Sequence, residues 1–460
     1  MHSAGLPSSL IDSLTHVPGF DAPAFIKVHE ASNPPVSIRF NPLKANNTIL
    51  HDLPLAEKIP WSSSGYYLTE RPSFTSDPLF HAGLYYVQEA SGMFLEEAVK
   101  QTCDLSKPLR VLDLCAAPGG KTTLLQSLLT EDSVLVSNEV IRQRVNVLEE
   151  NCTKWGAANI VVTSSDAAEF SKLKNFFDVM VVDAPCSGSG LFRKDPEAVK
   201  EWSEVAVTMC SLRQQRILAD AWPALKQDGI LIYATCSYSE QEDEMIGDWL
   251  LETYDVTPVQ LQTKPEWNIV ERVTHRKAFG YRFFPHLLNG EGFYLSCFKK
   301  TIGEDTTLTV REKDRLPVIS KNEEKLMDRF LSKNAAIDIV KWKDNVLALP
   351  ASVRAVLPLL QMLYVKKAGV EAGRILHGEL IPSHALALSE QMQGDFVAVS
   401  LKKEDALQYL RRQEVKIDTL HKGWLLIQYQ GVNLGWVKAL GNRINNYYPK
   451  EWRILKSGNN

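Results

Sequence analysis

A regular alternation of strand-like and helix-like segments between about residues 110 and 300 constrains the fold more than any other feature. Short runs rich in β-branched residues predict strands, and they are RVLDLC (110–115), VLVSNEV (134–140), NIVVTSS (159–165), FDVMVVDAP (177–185), GILIYATC (229–236) and GFYLSCF (292–298). The segments between them carry apolar residues every three to four positions, as amphipathic helices do. This alternation predicts an α/β fold with a doubly wound, mostly parallel sheet that helices cover on both faces.

The rest of the chain predicts further domains on either side of this sheet, since 460 residues are enough for several. A polar stretch without sustained periodicity indicates a linker, and three later strand-like runs indicate a small β-rich module near the C-terminus. We expect an N-terminal α+β extension at 1–100, the sheet domain at 101–300, the linker at 301–323, a connecting domain at 324–384 and the β-rich module at 385–460.

Composition is that of an ordinary globular protein, with 45% hydrophobic and 23% charged residues. Seven cysteines without a CxxC pair favour neither a disulfide framework nor a zinc ribbon, so we expect a reducing, cytoplasmic location and no metal. No signal peptide is evident at the N-terminus. Residues 346–365 are the most apolar long stretch, but Arg354 and two prolines interrupt them, and we expect no membrane association.

The first predicted strand runs into CAAPGGKTT (115–123), a glycine-containing loop before a predicted helix. Gly119 and Gly120 allow a close approach of the backbone to a ligand, and the amides that begin the helix attract anions. The loop ends as a nucleotide-binding P-loop does, with Gly120 and Lys121, but Cys115 stands where that motif has its first glycine. The phosphate-binding loop of a nucleotide hydrolase and a loop beneath the methionine part of S-adenosylmethionine are both open interpretations.

Acidic residues follow the next three strands. Glu139 lies 19 residues after Gly120, about where a doubly wound fold places a ribose-binding carboxylate. Asp166 ends the third strand, where it can accept from an adenine amino group, and Asp183 ends the fourth. Each could instead be a solvated strand-end acid or a helix cap. Their common register at one sheet edge favours a bound nucleoside.

Two cysteines end neighbouring strands, Cys186 after Asp183 and Cys236 at the end of the fifth strand. A buried cysteine is often only a small apolar side chain. Here, however, both thiols are expected beside the glycine loop, where a thiolate can meet a ligand. The remaining cysteines, which we expect to be structural, are Cys103, Cys115, Cys152, Cys210 and Cys297.

Several motifs in order resemble the Sun-type RNA cytosine-5 methyltransferases. They are SIRFNPLK, QEASGMF, LDLCAAPGGKTT, NEVIRQRVNVLEEN, SSDA, VVDAPCSGSGLFRKDPE and IYATCSYSEQEDE. The C-terminal third narrows this resemblance to the branch that modifies bacterial small-subunit rRNA, whose last module is PUA-like. The resemblance implies a Rossmann-like methyltransferase sheet, an RNA-binding N-terminal extension and a PUA-like RNA-binding module at 385–460.

The resemblance also implies the roles of individual residues. In this family the cysteine of the TC pair, here Cys236, is the nucleophile, and that of the PC pair, here Cys186, assists product release. Asp183 and Lys121 complete the expected catalytic set. The residues expected to bind S-adenosylmethionine are Cys115, Ala116, Ala117, Pro118, Gly119, Gly120, Lys121, Glu139, Arg144, Asp166 and Asp183.

These roles fit the chemistry of carbon 5, which is a poor nucleophile in a pyrimidine. A thiolate that adds to carbon 6 makes carbon 5 enamine-like, so that it can attack a methyl sulfonium group; a base then removes the carbon 5 proton and the thiol leaves. Asp183 is placed to supply an acid near ring nitrogen 3. The target cytosine must be unstacked or flipped to reach the thiol.

The resemblance implies 16S rRNA or the small ribosomal subunit as the partner, in the decoding region, and hence an effect on aminoglycoside sensitivity. The net charge of −4 is unfavourable for RNA, but residues 401–460 hold 11 basic and 5 acidic residues. Phosphate contacts are expected from Lys438, Arg443, Lys450 and Arg453. We expect a monomer. Two alternatives stay open: the nucleotide hydrolase, and a non-catalytic ribosome assembly factor that keeps a methyltransferase-like fold.

Overall fold

The computed structural model describes most of the chain. The described residues are 5–31, 33–45, 53–303, 308–310, 316–331, 337–392, 396–417, 419–441 and 443–455. Residues 304–307 and 311–315 of the predicted linker lie outside them, as do 332–336 of the predicted connecting domain and 393–395, 418, 442 and 456–460 of the predicted β-rich module.

The N-terminal region is an α+β unit. Its elements are α1 (Ser8–Leu14), α2 (Ala22–Glu30), β1 (Ser37–Phe40), β2 (Leu55–Lys58), β3 (Gly65–Leu68), α3 (Pro78–His81), β4 (Tyr85–Val87) and α4 (Leu95–Thr102). The strands form a four-stranded sheet in the order β2-β3-β1-β4. Local sequence fixes the start of α2, because the Asp21 side chain accepts from the amide of Ala24 at 2.9 Å and a proline stands in the first turn.

A large mixed sheet follows. Its strands are β5 (Arg110–Asp113), β6 (Val134–Asn138), β7 (Ile160–Thr163), β8 (Phe177–Asp183), β9 (Leu225–Thr235), β10 (Val256–Val259), β11 (Val270–Val273), β12 (Phe279–Phe283) and β13 (Phe293–Lys300). The parallel centre has the order β9-β8-β5-β6-β7, and β13, β12 and β11 continue it antiparallel beyond β9. Strand order reverses between β5 and β8, so the prediction of a doubly wound sheet is confirmed. The expectation that it is mostly parallel is wrong for the whole sheet, because antiparallel strands extend the parallel centre at both edges.

Helices pack on both faces of this sheet. They are α5 (Gly120–Leu128), α6 (Arg142–Trp155), α8 (Glu204–Ala221) and α9 (Glu244–Thr253), whereas the short helix α7 (Pro196–Glu201) has no buried residue. Successive strand residues enter opposite cores, as the period of two requires: Val111 joins one apolar cluster and Leu112 the other. The central strands are therefore buried on both sides. The carboxyl ends of the parallel strands meet along one edge.

The C-terminal third contributes to three sheets. Its elements are α10 (Lys321–Met327), β14 (Ile337–Trp342), β15 (Asn345–Pro350), α11 (Ala351–Leu360), β16 (Val365–Ala368), β17 (Val370–Leu376), β18 (Glu379–Pro382), α12 (His384–Leu388), β19 (Ala398–Ser400), α13 (Lys403–Leu410), β20 (Gly423–Tyr429), β21 (Val432–Ala439) and β22 (Ile444–Asn446). One four-stranded sheet has the order β14-β15-β17-β18 and another β19-β20-β21-β22.

Strand β16 departs from the expected division of the chain. It pairs antiparallel with β7 and so extends the large sheet at that edge, although it belongs to the stretch expected to form a separate connecting domain. The apolar stretch 346–365 is divided among β15, α11 and the start of β16. None of the helices in the described part of the chain has the length and apolar character that a membrane crossing requires.

The N-terminal unit and the C-terminal sheet share a core. Ile38 and Phe40 of β1 lie in one apolar cluster with Tyr409, Leu425 and Val437. Because all five side chains are almost fully buried, the two ends of the chain are packed together beside the large sheet.

Candidate active site

A cavity of about 460 Å³ lies at the carboxyl ends of the parallel strands. This volume is within the range of small-molecule sites, and its place beside the reversal of strand order is where doubly wound sheets bind ligands. The lining residues are Leu114, Cys115, Ala117, Asn138, Glu139, Val140, Ile141, Arg144, Ser165, Asp166, Ala167, Asp183, Ala184, Pro185, Cys186, Gly188, Leu191, Arg213, Arg216, Ile217 and Cys236. We call it the active-site cavity.

The glycine loop (115–123) forms one wall of this cavity through Cys115 and Ala117. Gly119 has φ +112° and precedes α5, a conformation that favours glycine. Behind the loop, the Thr122 hydroxyl donates to Asp113 at 2.7 Å, and burial raises the pKa of Asp113 to about 7. Burial also raises the pKa of Cys115 well above its ordinary value, which leaves this thiol protonated and unsuited to nucleophilic attack.

Glu139 presents a buried carboxylate to the cavity. Its side chain is only 4% exposed; Oε1 accepts from the amide of Ile141 at 2.9 Å, and Oε2 lies 3.3 Å from the Arg144 guanidinium. Arg144 also donates to the carbonyl of Ala117 in the glycine loop at 2.6 Å. This arrangement ties the loop to the strand end that carries Glu139, and it leaves the carboxylate free to accept from hydroxyl groups of a ligand.

Asp166 stands at the next strand end. Its Oδ1 caps a short helical turn by accepting from the amide of Ala168 at 3.0 Å. Asn138, which also lines the cavity, joins neighbouring strand ends: its amide donates to the carbonyl of Ser165 at 2.9 Å, and its oxygen accepts from the Ser165 amide at 2.9 Å. Backbone amides thus orient the side chains of both Glu139 and Asp166.

Lys121 and Asp183 form an ion pair at the same edge, with Nζ and Oδ2 2.6 Å apart. Burial acts to lower the pKa of Lys121, but the charge of Asp183, its hydrogen bond and the neighbouring Cys236 together raise it above the ordinary value. Lys121 is therefore cationic at neutral pH. It lies 5.2 Å above the ring of Phe293, which accommodates the charge.

The two strand-end cysteines meet at this edge. The sulfurs of Cys186 and Cys236 are 2.9 Å apart, and both residues are free thiols. The hydrogen bond to Cys236 and burial raise the pKa of Cys186 well above its ordinary value. Cys186 thus holds its proton and can donate it to the Cys236 sulfur. The carbonyl of Cys236 accepts from the amide of Gly190 at 2.8 Å, which fixes the backbone that carries it.

The structure brings most of the sequence-predicted residues to one place. Those that line the cavity are Cys115, Ala117, Glu139, Arg144, Asp166, Asp183, Cys186 and Cys236. Those that lie behind it or beside it are Ala116, Pro118, Gly119, Gly120 and Lys121. Sequence reasoning missed Asn138, Ser165, Arg213 and Arg216, although Asn138 immediately precedes Glu139 and the two arginines lie three positions apart on a predicted helix.

A second concave surface lies in the C-terminal module, with a volume of about 980 Å³. We call it the C-terminal groove; its basic and aromatic lining includes Arg412, Lys416, Arg443 and Tyr447. Of the four residues expected to contact RNA, only Arg443 lines it.

The other three residues expected to contact RNA lie elsewhere on the module. Lys438 lies over the Trp424 ring and 3.6 Å from Glu379. Lys450 and Arg453 are exposed, and Arg453 donates to the carbonyl of Lys450 at 2.9 Å.

Three family models match the chain. Residues 101–299 match "16S rRNA methyltransferase RsmB/F", residues 6–90 match "N-terminal domain of 16S rRNA methyltransferase RsmF", and residues 396–454 match "Methyltransferase RsmF PUA domain". Together these ranges include every residue that lines the active-site cavity and the C-terminal groove.

Relatives of nearly the same length match as well. Ribosomal RNA small subunit methyltransferase F of Shewanella loihica is 30% identical over 438 residues, 90% of this chain and 88% of the relative. The protein of the same name from Salmonella arizonae is 29% identical over 440 residues, 90% and 89% of the two chains.

Solved structures share the fold of the large sheet. A methyltransferase homolog protein from Pyrococcus horikoshii is 27% identical, with a TM-score of 0.52 over 64% of this chain and 100% of that chain. NSun6 from the same organism, solved with SFG, is 17% identical, with a TM-score of 0.54 over 65% of this chain and 100% of that chain.

Proposed function

Because the chain belongs to the RsmB/F family of 16S rRNA methyltransferases, we propose that it methylates carbon 5 of a cytosine in 16S rRNA through a covalent cysteine adduct. It is an S-adenosylmethionine-dependent rRNA methyltransferase. The observation that carries the finer proposal is the pair of free thiols, Cys186 and Cys236, 2.9 Å apart at the wall of the active-site cavity.

The residues of the cavity fit S-adenosylmethionine, which when bound supplies the methyl group as a sulfonium. Glu139 is suited to the ribose, because it is a buried carboxylate with capacity to accept hydroxyl groups. Asp166 is suited to the adenine amino group one strand further along. The glycine loop lies below with Gly119 in the left-handed conformation, which permits close approach of its backbone. NSun6 from Pyrococcus horikoshii, which shares the fold of the large sheet, was solved with SFG, an S-adenosylmethionine analogue.

We assign attack to Cys236 and release to Cys186. Once the Cys236 thiol has released its proton to solvent, the thiolate attacks carbon 6; the carbon–sulfur bond forms as the electron pair of the carbon 5–carbon 6 double bond moves to carbon 5. After carbon 5 has accepted the methyl group and lost its proton to a base, the carbon–sulfur bond breaks. Cys186 holds a proton within hydrogen-bonding distance of the departing sulfur and so stabilises it. The Lys121–Asp183 pair lies at the same edge, where it can stabilise charge on the pyrimidine ring.

RNA binding is assigned to both concave surfaces. Arg213 and Arg216 line the active-site cavity and are exposed on α8, which suits phosphates next to the target cytosine. The C-terminal groove offers Lys416 and Arg443 for phosphates and Tyr447 for a base. The cytoplasmic location, the monomeric state and the effect on aminoglycoside sensitivity stay predictions.

Family membership argues against the nucleotide hydrolase. If the chain were a non-catalytic assembly factor, the close pair of thiols would have no role, whereas the covalent mechanism uses both thiols.

The test is transfer of labelled methyl groups to small ribosomal subunits or 16S rRNA, followed by digestion to nucleosides. We expect the label at carbon 5 of cytosine. Cys236→Ser should abolish transfer, whereas Cys186→Ser should accumulate a protein–RNA adduct that survives denaturing electrophoresis. Label on another atom would refute the proposed position of methylation. An adduct in the Cys236 variant and not in the Cys186 variant would reverse the two roles.

A further inference from the structure

Glu242 is a buried carboxylate close to both cysteines that plays no part in the assignment above. It lies between β9 and α9 and is fully buried. Oε1 accepts from the amide of Ser187 at 2.8 Å and from the side-chain amide of Gln214 at 3.1 Å. Oε2 accepts from the hydroxyls of Ser187 at 2.5 Å and Ser237 at 2.7 Å. One carboxylate therefore receives four hydrogen bonds.

These donors belong to the loops that carry the two thiols. Ser187 follows Cys186 directly, and Ser237 follows Cys236 directly. Gln214, on α8, also donates to the carbonyl of Pro185 at 3.0 Å, on the other side of Cys186. The backbone is thus held on both sides of Cys186. Glu242 binds Ser187 directly, and Gln214, which is itself bound to Glu242, holds the carbonyl of Pro185. We propose that Glu242 is a positioning residue that holds the Cys186 thiol beside the Cys236 sulfur, an inference that rests on the proposed function.

The two cysteines depend on Glu242 to different degrees. Cys236 has supports outside the Cys186 loop: it directly follows Thr235, which pairs with Tyr294 of β13 and whose hydroxyl donates to Asp243 at 2.6 Å. The residues on either side of Cys186 have their side-chain anchors in Glu242 and Gln214, and further along the same loop the Ser189 hydroxyl accepts from the amide of Tyr238 at 2.9 Å. Loss of the carboxylate should therefore displace Cys186 more than Cys236. Attack on carbon 6 should continue while release of the product slows.

The kinds of donor that bond to each oxygen of Glu242 predict that glutamine at this position can keep the hydrogen bonds that alanine would lose. Both donors at Oε1 are N–H groups, which an amide oxygen satisfies in the same way. Both donors at Oε2 are hydroxyls, which can rotate to accept from the amide nitrogen instead. Glu242→Gln should thus keep the loops in place, whereas Glu242→Ala removes all four bonds. A proton-transfer role for the carboxylate would make both variants inactive.

The experiment compares Glu242→Ala, Glu242→Gln and a control, Glu240→Ala, in the full-length chain. Glu240 belongs to the same segment but pairs with His16 and Arg272 away from the cavity. Single-turnover reactions with 16S rRNA are separated on denaturing gels to measure the adduct, and kcat and the KM for S-adenosylmethionine are measured under steady state. For Glu242→Ala we expect the adduct to accumulate and kcat to fall by about 100-fold, as a displacement of about 1 Å can produce. The KM should stay unchanged, because Glu242 does not line the cavity.

A second measurement needs no methyl transfer. Alkylation of each thiol by iodoacetamide, followed by mass spectrometry, should be faster at Cys186 in Glu242→Ala than in the wild type, and unchanged in Glu242→Gln. Equal alkylation rates together with wild-type turnover would overturn the proposal, as would equal losses of turnover and of S-adenosylmethionine binding. If Glu242→Ala does not fold, Ser187→Ala removes one donor alone and must show a smaller rise in adduct and alkylation. Failure of the wild type to label carbon 5 would instead refute the proposed function.

Discussion

Glu139 allows the assignment of the active-site cavity to be tested by a binding measurement. Its carboxylate is buried, and in the folded chain it already accepts from Ile141 and pairs with Arg144. Glu139→Ala removes the acceptor for both ribose hydroxyls. The amide of Ile141 loses its partner too, but Ile141 is exposed, so water can replace the carboxylate there.

The magnitude follows from the charge and number of these bonds. A hydrogen bond to a charged group contributes about 1.5 kcal/mol at the low end of its range, so two bonds contribute about 3 kcal/mol, or about 150-fold in Kd. Glu139→Gln keeps a neutral acceptor for one or both hydroxyls. The loss should then be about 1 kcal/mol, or about fivefold.

Calorimetric titration with S-adenosylmethionine measures both constants directly. Glu150→Gln is the matched control, since Glu150 lies on α6, the helix that follows Glu139, and pairs with Lys154 outside the cavity. Its Kd should equal that of the wild type. A change of less than about fivefold for Glu139→Ala would place the ribose elsewhere and contradict the estimate above. If Glu139→Gln raised the Kd as much as Glu139→Ala does, the negative charge of Glu139, and not its hydrogen-bond acceptor geometry, would account for its contribution to binding.

Two further predictions concern charge in other parts of the molecule. Burial raises the pKa of Asp113 to about 7, so the folded state keeps a proton that the unfolded chain releases near pH 4, and the free energy of unfolding falls as the pH rises from about 4 through 7. Asp113→Asn should therefore raise the melting temperature relative to wild type more at pH 8 than at pH 5, and an equal effect at both pH values would contradict this. In the C-terminal groove, Lys416→Ala with Arg443→Ala should lower the slope of log Kd for 16S rRNA against log salt by about 1.5, whereas the exposed Lys402→Ala outside the groove should leave it unchanged.

Sequence patterns were sufficient to predict those strands whose bounds depend on adjacent residues alone. The central strands are continuous runs of β-branched residues because both faces are buried, so β6 and β8 lie within a residue or two of their expected bounds. Strand β16 could not be found in this way. It has four residues, VKKA, and its partner β7 lies about 200 residues earlier, so its pairing depends on tertiary structure alone.

The residues of the active site also differ in whether local sequence patterns or only tertiary structure reveals them. Glu139, Asp183 and the two cysteines end strands, and parallel strand ends must meet at one edge, so their proximity was predictable. Glu242 acts on Ser187, 55 residues earlier, through hydrogen bonds that no local pattern signals.

Lys438 shows the limit of charge patterns for predicting RNA contacts. It is one of the basic residues that make the C-terminal module attractive to RNA. Its contacts with the Trp424 ring and Glu379 became visible only in the folded sheet.

The pairing of β16 with β7 has a consequence for synthesis of the chain. Strand β7 is complete at Thr163, but its outer partner begins only at Val365. At a translation rate of about 5–20 residues per second, the edge of the nascent sheet stays open for about 10–40 s on the ribosome. During that time an unpaired strand edge is available to other chains. Truncation between residues 300 and 365 would make this exposure permanent, so we expect such fragments to aggregate even though they contain the whole active-site cavity.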